Sequence, residues 1–221
     1  MADIWSQLGT MDVKAVLHAL FSGICRSEEN IRWNAIACMG LVVARLAEQD
    51  VEAARVVMRR LLWSLNDESG GIGWGAPEAM AEIMVCHQGL AEEYLHMLVS
   101  YMREDGKELF QDGNYLEHEG LQRGLMWGIA RLAATRPQML LQLGVPGDLL
   151  PYLHSPDPGV RGLASRSLGL LGAENAVDQL RLLRQDNGVV RFFDEGMVRS
   201  VSVADLASQA MEMITSRETC G

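Results

Sequence analysis

A phrase that returns after forty-odd residues limits what this chain can fold into more than any other feature. Ile31-Arg32-x-x-Ala35-x-x-x-Met39-Gly40-Leu41 comes back as Val160-Arg161-x-x-Ala164-x-x-x-Leu168-Gly169-Leu170. Two weaker copies lie between them, one with Ala79, Ile83 and Val85 in register, the other with Trp127, Gly128 and Ile129. The copies start at 31, 75, 119 and 160, in steps of 44, 44 and 41 residues. A period of that length marks stacked helix pairs, in which each unit buries its apolar face against the next. The expected fold class is therefore all-α, an α-solenoid, with residues 1–221 forming one repeat domain.

The local patterns agree. Val13, Val16, Leu17, Leu20, Phe21 and Ile24 fall on a 3.6-residue stripe, as do Ile31, Ala35, Met39, Val42, Val43 and Leu46, and then Ala54, Val57, Met58, Leu61 and Leu62. Helices are predicted over 13–26, 28–47 and 51–65. The segment 66–77 then breaks the pattern with Gly70, Gly71, Gly73 and Gly75, and Pro77 suits the first turn of a helix over 76–87. Further helices are predicted over 90–102 and 116–134, with short turns between Pro137, Pro146 and Pro151. Asp157 can cap a helix that opens on Pro158 and ends near Gly172, followed by another over 174–184. The repeats are read as roughly 11–48, 51–88, 90–134 and 137–185.

After 185 the period changes. Val189-Val190-Arg191-Phe192-Phe193 and Met197 to Val203 flank Asp194-Glu195-Gly196, the pattern of a β-hairpin, and Ser202-x-x-Asp205 is a capping box for a last helix. The hairpin and helix, 189–215, are read as a cap over the open end of the stack.

The block Asp157-Pro158-Gly159-Val160-Arg161-x-x-Ala164-x-x-x-Leu168-Gly169-x-Leu171-Gly172, followed by Ala176-x-x-x-Leu180-x-x-Leu183, closely resembles the HEAT-like repeats named after phycobilisome lyases. The whole chain is similar to small bacterial HEAT-repeat proteins, relatives in architecture of the armadillo repeats. The resemblance implies an α-solenoid of HEAT/armadillo-like helix pairs and a tendency toward protein binding. It carries no single activity, since such repeats occur in lyases, hydroxylases, DNA glycosylases and adaptors.

Composition narrows the function. The net charge is −10, with 17 Arg and 2 Lys, a balance that repels phosphate backbones and argues against a nucleic-acid partner. The longest apolar run, Ala35 to Ala44, is far short of the roughly 20 residues that cross a bilayer, so no membrane partner is expected. Met1-Ala2-Asp3-Ile4-Trp5 lacks a secretion signal's positive start, and Cys25, Cys38, Cys86 and Cys220 show no C-x-x-C spacing. The expected location is cytoplasmic.

The densest chemistry lies where the second and third copies stack. Trp63, Asn66, Asp67, Glu68, Trp74, Glu78 and Glu82 face Glu117, His118, Glu119, Arg123, Trp127 and Arg131. Arg123 occupies the register position of Ala35, Ala79 and Ala164, so it is expected to be interior, with Glu78, Glu82 and Asp67 as its nearest acceptors. This set reads either as an ionic network holding the glycine-rich turn or as a binding groove.

The iron-binding HEAT-repeat enzyme deoxyhypusine hydroxylase places His-Glu pairs just after the Val-Arg of the phrase. Here those slots hold Trp33-Asn34, Pro77-Glu78, Leu121-Gln122 and Gly162-Leu163, and His118-Glu119 falls a helical turn early. No metal, cofactor or catalytic set is expected, since G-x-S-x-G, H-E-x-x-H and the phosphate-loop spacing are all missing. The expected role is a non-catalytic adaptor that recognises a basic protein or peptide on its inner helices. The alternative is a lyase- or chaperone-like factor acting on a cofactor-bearing protein.

Overall fold

A computed structural model of the protein describes residues 13–66, 73–106 and 113–218. The helices are α1 (Val13–Ile24), α2 (Glu29–Gln49), α3 (Val51–Leu65), α4 (Ala76–Cys86), α5 (Gln88–Ser100), α6 (Glu119–Thr135), α7 (Pro137–Gln142) and α8 (Val145–Leu149). After a 3-10 turn at Leu150–His154 come α9 (Pro158–Leu171) and α10 (Val177–Leu182). The hairpin β1 (Val189–Asp194) and β2 (Met197–Ser202) follows, and then α11 (Val203–Glu218). Among the described residues no helix is long and apolar enough to cross a membrane.

The repeat phrase lies on α2, α4, α6 and α9, and these helices form one row. α2 packs on α4, α4 on α6, α6 on α9, and α9 on α11, while α1, α3, α5 and the short α7 and α8 each pack against helices of the row. α4 sits in the middle and is buried on every side from Ala76 to Met84, which is why its sequence is small or apolar apart from Glu78 and Glu82.

Close approach explains the glycines of the phrase. A Cβ on Gly40 would stand 2.9 Å from the Glu82 backbone, and one on Gly169 2.5 Å from the Ala210 Cα. On α6 the glycines repeat every fourth residue. Added Cβ atoms would strike the Trp74 ring at Gly120 (2.5 Å), the Glu78 carboxylate at Gly124 (2.5 Å) and Ala81 Cβ at Gly128 (2.9 Å). Gly120, Gly124 and Gly128 thus make a groove along one side of α6, and α4 with its entry turn lies in it. Gly75 makes that entry: it adopts φ 75°, and a side chain there would meet the Ile24 carbonyl oxygen at 2.5 Å.

Trp33 of α2 and Trp127 of α6, on opposite flanks of α4, reach each other across it, with ring centres 4.8 Å apart.

The hairpin does more than close the end of the stack, as the sequence suggested. Its two-residue turn has positive φ at both Glu195 (49°) and Gly196 (86°), the twist a tight hairpin needs. Val190 and Phe192 are buried, and Val190 lies close against Gly162 of α9. Phe193 stacks on Trp33 at 5.1 Å and 10°, and its carbonyl accepts a hydrogen bond from Trp127 Nε1 at 2.7 Å. Arg191 Nη2 reaches Glu29, 162 positions earlier, at 2.7 Å. It is α11 that caps the stack, while β1 crosses the inner face back to the first repeat.

Helix ends follow their caps. The helix expected from 116 begins at Glu119, because His118 Nδ1 accepts the Gly120 amide at 3.0 Å and the preceding backbone turns away, with the Leu116 amide bonded to the Tyr101 carbonyl. In the capping box the Asp205 amide donates to Ser202 Oγ at 3.0 Å and the Ser202 amide to Asp205 Oδ2 at 3.1 Å. The Ser202 hydroxyl, donating to Asp205 Oδ2 at 2.7 Å, and then the Ser202 amide hold the Asp205 carboxyl below its ordinary value. Asp157 accepts the Val160 amide at 3.0 Å and also meets Arg123 Nε at 3.3 Å. Asp157→Ala should therefore cost about 1 kcal/mol in chemical denaturation, the usual worth of such a cap. An unchanged midpoint would show that α9 starts without it.

Candidate functional site

The inner face holds a cavity of about 210 Å³. Its walls come from four helices and a strand: Glu29, Arg32 and Trp33 from α2, Glu78 from α4 with Trp74 just before it, Arg123 and Trp127 from α6, Leu163 from α9, and Arg191 and Phe192 from β1. Gly75, Gly120 and Gly124 form the rest of the lining, so backbone and side chains from distant parts of the chain converge on one small space.

Glu78 is the unusual member. Its side chain is 6% exposed and lies over Gly124. Burial pushes its carboxyl above the ordinary value, opposed by a hydrogen bond to its own amide and by the charge of Arg32. Arg32 supplies that charge without forming an ion pair among the described residues. Its guanidinium carbon stands 5.2 Å from the Trp33 ring centre, and its Nε is buried with no hydrogen-bond partner among the described residues. The other two cations are already engaged, Arg191 with Glu29 and Arg123 with Asp157.

The expected groove divides in the structure. Trp74, Glu78, Arg123 and Trp127 line the cavity, but Arg123 is exposed and bonded to Asp157. The expectation of an interior Arg123 held by Glu78, Glu82 or Asp67 is overturned. The cause is the glycine stripe: with Gly120, Gly124 and Gly128 turned toward α4, residue 123 points about 100° away from that contact. The partner of buried Glu82 is instead the exposed Arg131, whose Nε donates at 2.6 Å. Trp127 is a core residue at 5% exposure.

Asn66, Glu117 and His118 line a separate recess of about 790 Å³ with Glu104 and Asp105, and Glu117 and Glu119 line another of about 650 Å³. His118 also meets Trp74 edge-on at 4.9 Å. Trp63 is 74% exposed on α3 and joins none of these cavities. Asp67 and Glu68 lie outside the described residues.

Sequence reasoning missed Glu29, Arg32, Trp33, Arg191 and Phe192. A signal for one of them was at hand, because the slots compared with iron ligands supply Trp33, together with Glu78 and Leu163, to the cavity wall. Nothing in the sequence links the hairpin to Glu29. Of the thiols, Cys86 is pushed up to about 11, by burial first and then by the Glu82 carboxylate, so it stays protonated and a poor nucleophile at neutral pH. No three His, Cys, Asp or Glu side chains among the described residues gather as a metal site requires.

No family model and no curated protein sequence matches the chain. Solved structures do. A designed armadillo repeat protein is 19% identical over 91% of this chain and 85% of its own, with a TM-score of 0.52. Another designed armadillo repeat protein, in complex with the peptide (KR)4, is 18% identical over 91% and 85%, with a TM-score of 0.54. An engineered protein is 14% identical over 95% and 88%, with a TM-score of 0.55. At such identities the likeness speaks to architecture alone, and on that footing the chain has the armadillo-like repeat fold.

Proposed function

We propose that this protein is a non-catalytic scaffold that binds a basic peptide or protein segment along its inner face, beside the hairpin. The observation that carries this reading is the cavity walled by Trp33, Trp74, Trp127 and buried Glu78, where aromatic anchors and a desolvated charge stand together. The acidic recesses next to it, with Glu104, Glu117, Glu119 and Asp148, and the net charge of −10 favour a partner of opposite sign. The designed neighbour in complex with (KR)4 supports the reading by analogy of fold. The likeness of residues 157–183 to lyase-type HEAT repeats supports kinship in the repeat unit, and the free thiols at Cys25, Cys38 and Cys86 fit a reducing, cytoplasmic setting.

Titration with a (KR)4 peptide tests it. Binding should follow a Kd on the order of 10 µM and weaken several-fold between low and physiological salt. Trp74 is half-buried at the rim, so Trp74→Ala should keep the helical signal and lose about tenfold in affinity. An acidic peptide of the same length binding equally well would sink the proposal.

A further inference from the structure

The cavity leaves one polar group unanswered and a second thinly served. Among the described residues Arg32 Nε has an N–H with no acceptor, and the Glu78 carboxyl draws on its own amide and the charge of Arg32. Buried polar groups are normally satisfied, and each one left open costs free energy that a ligand can recover. We propose that this pocket receives a carboxamide, the side chain of a Gln or Asn in the bound segment. The amide oxygen accepts from Arg32 Nε and the amide nitrogen donates to Glu78. This inference rests on the reading of the inner face as a peptide site and names what its central pocket selects.

The alternatives each leave one wall unsatisfied. An ammonium or guanidinium answers Glu78 but faces Arg32 and leaves its N–H dry. A carboxylate answers Arg32 but meets the Glu78 oxygens. An aliphatic side chain buries both groups without a partner. A carboxamide carries donor and acceptor on one planar, uncharged group, and its flat face suits the indoles of Trp33 and Trp74. If Glu78 holds a proton, its carbonyl oxygen still accepts from the amide nitrogen.

The pocket also rejects bulk in a defined way. Arg191 and Phe192 of β1 close one side, and the bonds Arg191–Glu29 and Trp127–Phe193 hold that strand in place. The bound group is therefore one side chain long, while the rest of the segment runs outside over the acidic recesses.

The experiment uses the full chain and a series of Lys-Arg repeat peptides that differ only at one central position: Gln, Asn, Leu, Glu or Lys. The Gln and Asn members should bind about tenfold tighter than the Leu member, and Arg32→Met should erase that gap while leaving the Leu member's affinity in place. Equal binding across the series, or a preference for Glu or Lys, overturns the carboxamide site yet leaves peptide binding on this face standing. If no member binds, both readings fall together. The series on the unaltered protein decides the matter even where Arg32→Met fails to fold.

Discussion

Trp127→Ala should remove about 3–5 kcal/mol of stability, the range for deleting a buried tryptophan, and lower the melting temperature on the order of 10 °C. The indole is 5% exposed, meets Trp33 at 4.8 Å and donates to the Phe193 carbonyl at 2.7 Å. Truncation opens a void between α2, α6 and β1, and the Phe193 carbonyl loses its donor. The helices keep their other contacts, so the far-ultraviolet signal should survive. The hairpin, tied to the inner face by this bond, by the Phe193–Trp33 stack and by Arg191–Glu29, should loosen. Its amides should then exchange hydrogen faster than those of α4. Phe193→Ala ought to couple to Trp127→Ala by at least about 0.5 kcal/mol in a double-mutant cycle, as residues in contact do. A single-variant loss below about 1 kcal/mol would mean that the indole is not part of the core.

The same residues mark where sequence reading succeeds and where it stops. Gly40, Gly128 and Gly169 were legible as a repeating position because neighbouring helices stack at every copy, and only a glycine admits the approach seen at each. Hairpin, turn and capping box were legible from local patterns of two to four residues. A periodic phrase, however, encodes contact with the next repeat and nothing longer. It says nothing of Arg191 meeting Glu29 across most of the chain, nor that β1 crosses the inner face.

Within the candidate site, Trp74, Glu78 and Trp127 stood out by density of aromatic and charged residues. Arg32 and Trp33 lay inside the phrase and read as scaffold. Arg123 was misplaced because register alone assumes that every copy has the same rotation about its axis, and the glycine stripe on α6 sets a different one. Asn66 and Glu117 stood near the cluster in the repeat count, but with α6 starting at Glu119 they line a separate recess.

Glu78→Gln should stabilise the protein at neutral pH by about 2 kcal/mol, within the usual range for relieving a buried polar group that is short of partners. Burial raises the folded-state pKa of Glu78 above its unfolded value, so the folded protein holds this proton to higher pH than the unfolded chain does. Below the ordinary carboxylate range both states are protonated and the residue costs nothing. Stability is then lost as pH rises from the unfolded value through the raised folded one, and above that the full cost of a buried carboxylate is present. Glutamine keeps the shape and carries no charge, so the advantage of the variant should be largest at pH 7 and above and should vanish near pH 4. Every other carboxylate titrates alike in both proteins, and the difference between two denaturation series isolates Glu78. A gap that stays constant with pH would mean that Arg32 compensates the carboxylate fully, leaving the pocket with no open acceptor for an amide.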